Sequence, residues 1–274
     1  MLYKKFKEKI EVYDKSQFEP QHILECGQVF CFEKTDREYV VYPGSNYAKI
    51  EEKNDCYQIS TSNPGFFEDY FDLKTDYTAI KKELFCTNLL KEPIKFGYGI
   101  RILKQNLFET LISFIISANN NIGRIKLILG RLRKHFSSSA LPPFPTFEQL
   151  LSCSVDFFKS IGCGYRSQYL YNVLRQTCPQ QLEQWQALDT EQLRKNLIAL
   201  SGVGPKVADC VLLFGYCRKD VFPVDTWINQ MYNKFYSPLS NREQIRNNLI
   251  CEFGGLSGYA QQYLFYYQRS FLGK

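Results

Sequence analysis

The sequence holds only two histidines, His22 and His135, two tryptophans and two methionines in 274 residues, and no two of its ten cysteines are spaced as CxxC. Structural zinc and iron–sulfur sites draw on closely spaced thiolates or on Cys/His mixtures, so no metal ligands and no cofactor are assigned. The cysteines, at 26, 31, 56, 86, 153, 163, 178, 210, 217 and 251, are too scattered for a small secreted disulfide framework. Most are expected to be reduced and buried. Long apolar runs are missing too: "VADCVLLFGYC" falls short of the roughly 18 residues that cross a bilayer. "MLYKKFKEKIEVYDK" carries too much charge for a signal peptide. The expectation is a folded chain with no membrane contact and no export signal, cytoplasmic in a prokaryote and nuclear in a eukaryote. Acidic residues are outnumbered, 28 against 34 Lys and Arg, and the formal charge of +6 weakly favours a polyanionic partner through counterion release.

What is present is core material: 45% of the residues are hydrophobic and 16% aromatic, enough for one large domain or two moderate ones. The pattern changes near residue 100. Before it, "REYVVYPG", "NYAKIEE" and "CYQISTS" carry aromatic and β-branched residues, the last two separated by the turn "KNDC". After it, "NLFETLISFIISA", "GRIKLILGRLRKHF", "RSQYLYNVLRQTC" and "DTEQLRKNLIAL" space apolar residues three and four apart, with breaks such as "SSSALPPFPT". The fold class is α+β, an antiparallel sheet domain over 1–100 followed by a helical domain over 101–274, with no internal repeat.

Within the helical part, "LSGVGPKVADC" has a distinct grammar. Asp189 suits the cap of a helix whose Leu193, Leu197 and Leu200 share a face, Gly202 and Gly204 supply a turn around Val203, and Pro205 suits the first position of a second helix. Helix, tight hairpin, helix is a unit that can hold one phosphate on backbone amides. An ordinary helix connection has the same glycines. What separates the two is the next segment, "VFPVDTWINQM", which places Asp225 nineteen residues beyond Lys206. One helix and a short return loop span that distance, so a lysine and a carboxylate can converge beside the turn.

"LSGVGPKVADC" followed by "PVDTW" resembles the helix-hairpin-helix DNA glycosylases with their Gly/Pro-rich loop and aspartate. "CGQVFCF" at 26–32, "SFIISANNNIGRI" at 113–125, "GCGYRSQYL" at 162–170 and "GYAQQYLF" at 258–265 resemble the 8-oxoguanine DNA glycosylase branch, across nearly the whole chain. The resemblance implies a bifunctional glycosylase and β-elimination lyase, expected to be monomeric, acting on double-stranded DNA with 8-oxoguanine opposite cytosine. Lys206 would attack C1′ and Asp225 would stabilise the positive charge developing on the sugar. Gly27 would offer its carbonyl to the lesion's N7 hydrogen, which guanine lacks. Cys210 and Phe265 would sandwich the flipped base, and Gln261 would read its Watson–Crick edge. Gly202, Val203 and Gly204 would grip a phosphate, while Asn119, Arg124, Tyr165 and Arg166 would fill the vacated space and meet the estranged cytosine.

Taken singly, several of these positions have plainer readings: Cys210 and Phe265 as core, "NNN" as a loop cap, "YR" as a helix start. Two positions depart from the family pattern: Trp227 stands where many eukaryotic relatives have histidine, and Phe32 where a tryptophan is common. An endonuclease III-like enzyme for damaged pyrimidines would share the lysine and aspartate, but usually ends in a four-cysteine iron–sulfur cluster that Cys251 alone cannot build. A non-catalytic helix-hairpin-helix clamp would need neither the lysine nor a base pocket.

Overall fold

The alternation in the first sixty residues folds into a single antiparallel sheet. In the computed structural model, which describes residues 1–272, the strands are β1 (Tyr3–Lys5), β2 (Lys9–Val12), β3 (Phe32–Lys34), β4 (Glu38–Val41), β5 (Ala48–Glu52) and β6 (Tyr57–Ser60). Their order is β1-β2-β6-β5-β4-β3. Ile10 faces Ile59, Ile59 faces Ile50, and Ile50 faces Tyr39, so one row of apolar side chains crosses four strands. This face packs on Phe18, Phe67, Tyr70, Phe71 and Leu103. The expected turn between β5 and β6 closes with Lys53 N–H donating to the Cys56 carbonyl at 2.8 Å.

The chain does not stay in the sheet up to residue 100. Helices Pro64–Tyr70, Tyr77–Leu84 and Lys91–Phe96 intervene. Asn63 accepts from the Phe66 amide at 3.2 Å and Asp76 from the Thr78 amide at 2.9 Å, side-chain caps that start two of them. The two cores interlock across this region: Tyr77, Leu84, Leu90 and Ile94 belong to the helical core, whereas Leu103 belongs to the sheet core.

The four expected helices form as Leu107–Ser117, Ile122–Phe136, Arg166–Gln176 and Thr190–Ile198, followed by Pro205–Phe214 and, at the end, Ser257–Leu272. Leu107–Ser117 is the central rod, buried from Phe108 through Ser117. A charged pair ties it to the sheet: Glu109 is hydrogen-bonded by Arg133 and accepts from the Gly44 amide at 2.9 Å, while Arg133 also donates to the carbonyls of Tyr42 and Pro142 at 3.2 and 3.1 Å. No helix of the described residues is long and apolar enough to cross a membrane. All ten cysteines are free thiols, six of them buried.

Candidate active site

The helix-hairpin-helix unit forms as the sequence indicates. Asp189 accepts from the Gln192 amide at 2.8 Å, and Val203 N–H closes the turn on the Leu200 carbonyl at 3.1 Å. Gly202 has φ of +80°, and a Cβ there would lie 2.5 Å from the Cβ of Tyr169, so the residue is needed for both its backbone angle and its lack of side chain. Pro205 is the first helical residue and Gly204 provides no side-chain cap, which leaves the first-turn amides of Pro205–Phe214 to find partners outside the helix.

That helix carries Lys206, Asp209 and Cys210 within its first two turns, and each side chain has its own surroundings. The Lys206 ammonium lies 5.2 Å from the centre of the Phe114 ring. Asp209, three residues on and lining a common cavity with Lys206, enters a buried ion cluster: Arg194 donates to it at 2.7 Å and Arg246 at 3.2 Å. Helices on two sides thereby fix the roll of Pro205–Phe214, and with it the direction of Lys206.

Asp225 is the N-cap of helix Thr226–Phe235, accepting from the Ile228 amide at 2.9 Å. The cap bond orients the carboxylate, a role the sequence reading missed although "VDT" before a helical stretch is a capping signal. Burial raises the Asp225 carboxyl above its ordinary pKa, opposed by the Ile228 amide and the Lys206 charge. Lys206 and Asp225 together line two adjoining cavities of about 700 and 770 Å³, one walled by Gly202, Gly204 and Arg242, the other by Gly27, Asn119 and Arg124.

A third cavity lies behind them, bounded by Gly27, Cys210, Gln261 and Phe265 together with Lys206 and Asp225. Gln261 is 5% exposed; its amide nitrogen donates to the Pro223 carbonyl at 3.4 Å while its Oε1 has no partner among the described residues. A buried acceptor without a donor is costly unless a ligand supplies one. Burial pushes the Cys210 thiol up to about 11, against the pull of Lys206. Gly27 has φ of +86°, and a Cβ on it would lie 2.9 Å from Phe265 and 2.8 Å from Arg269. The cavity measures about 30 Å³, room for a water molecule, so a purine enters only if its walls move apart.

The residues assigned to the opposite strand lie on the same side of the molecule. Asn119 is exposed in the left-handed region at φ of +49°, and Arg124 is exposed with one donor 3.4 Å from the Gly162 carbonyl. Tyr165 is 55% exposed and packs edge-on to Tyr169 at 5.9 Å. Arg166, expected to meet the estranged cytosine, is buried and donates to the carbonyls of Ala118, Asn119 and Cys163. A buried guanidinium must satisfy its donors, and the carbonyls at the end of the central helix are the acceptors within reach.

Phe30, Phe114 and the Arg194–Asp209–Arg246 cluster were not picked out from the sequence. Only Asp209, a charge inside the apolar run "KVADCVLL", carried a signal, since a carboxylate there has to find cations. Of the two departures, Trp227 lines both large cavities, whereas Phe32 lies on β3 under the Lys126 ammonium, 3.7 Å from its ring centre.

Comparison with known proteins places this geometry. The family described as 8-oxoguanine DNA glycosylase, N-terminal domain, matches residues 12–111. The chain is 34% identical over 168 residues to the N-glycosylase/DNA lyase of Saccharomyces cerevisiae, an alignment spanning 54% of this chain and 45% of that protein. The chain thus matches less than half the length of that curated relative. A solved structure of the Clostridium acetobutylicum 8-oxoguanine glycosylase/lyase, in complex with double-stranded DNA containing cytosine opposite 8-oxoG, superposes with a TM-score of 0.92 at 33% identity, covering 98% of each chain. The chain belongs to the 8-oxoguanine DNA glycosylase family. A probable N-glycosylase/DNA lyase of Methanothermobacter thermautotrophicus is 29% identical over 230 residues, 74% of this chain and 73% of its own. The stretch matched by the family's N-terminal domain carries strands β3 to β6 and Gly27, and ends inside the central helix that bears Phe114, so in this chain it supplies one wall of the pocket.

Proposed function

We propose that this protein excises 8-oxoguanine from duplex DNA and cleaves the resulting abasic strand, working wherever the cell keeps its DNA. The observation that carries the proposal is the convergence of Lys206, Asp225 and the Gln261 oxygen, partnerless among the described residues, on one small cavity beside a hairpin whose second helix starts without a side-chain cap. The hairpin holds a phosphate of the lesion strand, and the extruded base enters between Cys210 and Phe265. Gln261 takes hydrogens from its Watson–Crick edge, and the Gly27 carbonyl takes the N7 hydrogen that only the oxidised base has. Lys206 Nζ bonds to C1′ as the bond from C1′ to the base breaks, the electron pair leaving with the base. Asp225 stabilises the positive sugar while this happens. Opening of the sugar gives a Schiff base, and removal of a C2′ proton then expels the 3′ phosphate.

The orphaned base faces Arg124 and Tyr165. Of the two guanidiniums Arg124 is the exposed one, because the donors of Arg166 are engaged by the 118–119 backbone. Cytosine offers Arg124 two acceptors, N3 and O2, whereas adenine offers N1 alone and a C2–H where the carbonyl oxygen would be. At about 1 to 3 kcal/mol for a lost specific contact, excision opposite cytosine is expected to exceed excision opposite adenine roughly ten- to a hundredfold, with Arg124→Ala narrowing the gap. Single-turnover excision on the two duplexes measures this, and equal wild-type rates would assign Arg124 to phosphate or solvent. Faster release of an oxidised pyrimidine than of 8-oxoguanine would favour endonuclease III-like chemistry. Tight binding with no base release would leave a clamp.

The hairpin carries its own prediction. Gly202→Ala places a methyl against Tyr169 and strains a left-handed backbone by about 1 to 2 kcal/mol, so lesion-duplex affinity is expected to fall about tenfold. An unchanged dissociation constant would mean that the hairpin does not hold DNA.

A further inference from the structure

The turn Glu25–Gln28 carries the Gly27 carbonyl, and side chains from two other parts of the chain fill the acceptors on either side of it. Arg269 Nη2 donates to the Glu25 carbonyl, Gln262 Nε2 to the Cys26 carbonyl at 3.2 Å and its sulfur at 3.1 Å, and Gln105 Nε2 to the Gln28 carbonyl at 2.7 Å. From below, the buried Gln28 side chain anchors the turn to the carbonyls of Ile23 and Arg101 and to the Leu103 amide, at 2.9, 2.7 and 2.9 Å. Among the described residues no donor reaches the Gly27 carbonyl. Three of four consecutive carbonyls are therefore satisfied, and the one left over belongs to a residue that lines the base cavity.

Gln262 and Arg269 are seven residues apart, two turns along the final helix, and so lie on one face of it. The same helix carries Gln261 and Phe265. We propose that Gln262 and Arg269 are positioning residues that hold the Gly27 turn by its neighbouring carbonyls, and so set the discrimination between 8-oxoguanine and guanine. The physical reason lies in the chemistry being read: lesion and normal base differ at this edge by one hydrogen. An acceptor that can tilt away from guanine's N7 lone pair would not repel the normal base, and only a fixed acceptor enforces the mismatch. Arg269 adds a steric limit, since its Nη1 lies 2.8 Å from where a Gly27 Cβ would be.

This inference rests on the reading of Gly27 given above, and the experiment separates the two. Gln262→Met and Arg269→Met keep length without the donor, and Arg269→Lys restores one. In a Lys206→Gln background that cannot turn over, the ratio of affinities for 8-oxoguanine:cytosine and guanine:cytosine duplexes is expected to fall about tenfold in each Met variant, and to return largely in Arg269→Lys. In the Lys206 protein, lyase cleavage of a preformed abasic site, which has no base to read, is expected to stay near wild type. A wild-type-like ratio in both Met variants would overturn the inference while leaving the Gly27 reading intact. Equal losses in the ratio and in lyase cleavage would overturn it as well, assigning both side chains to general structure. No lesion preference in Lys206→Gln alone would sink the reading and the inference together.

Discussion

Borohydride is expected to link the wild-type protein covalently to a duplex containing 8-oxoguanine, and Lys206→Gln to give no linked species at all. The reductant delivers hydride to the carbon–nitrogen double bond of the Schiff base, turning a transient intermediate into a stable amine, so the trapped band counts the nucleophile directly. Glutamine keeps much of the length and polarity of lysine but has no amine that can displace a base. The surroundings of Lys206 remain in Lys206→Gln: Asp209 still anchors the helix through Arg194 and Arg246, and the hairpin amides are backbone. Lesion binding is therefore expected to persist while trapping and strand cleavage vanish. A covalent adduct in Lys206→Gln would remove Lys206 as the nucleophile and point to another amine.

Asp225→Asn is expected to lower the single-turnover excision rate about a hundredfold or more, the loss of a few kcal/mol that follows removal of one charge aimed at a transition state. Asparagine caps a helix about as well as aspartate, so the bond to the Ile228 amide and the start of Thr226–Phe235 survive. The pH dependence gives a second handle. Burial raises the Asp225 pKa in the folded protein, so the group is protonated, and the wild-type rate falls, at a higher pH than for an exposed aspartate. The sign for stability is opposite. A carboxyl whose folded pKa exceeds its unfolded value binds more protons when folded, so its contribution to stability is present at low pH and is lost as pH rises through the folded pKa. At neutral pH Asp225→Asn is thus expected to melt no lower than wild type, and to lack the acid limb of the rate profile. A wild-type rate would defeat the electrostatic role, and a large fall in melting temperature would show that the substitution damages the fold.

Much of this was legible in the chain, because local physics leaves local marks. Alternation announced strands β4, β5 and β6, the three-and-four spacing announced four helices, and Asp189, Gly202 and Pro205 announced a hairpin by capping, turn and first-turn chemistry, all within about twenty residues. Spacing alone brought Lys206 and Asp225 into reach, since a helix and a short loop have fixed lengths. Tertiary structure decided the rest, because it depends on groups far apart in sequence. Nothing near residue 27 says that Gln262 and Arg269 hold the turn there, 236 and 244 residues from the carbonyls they engage. The burial of Arg166 could not be read from "GCGYRSQYL", because the carbonyls that engage its two ends, Ala118 and Asn119, belong to a helix end nearly fifty residues earlier. A buried donor takes whatever acceptor the packing brings to it, and the packing is set by apolar area summed over the whole chain, which carries no local signature.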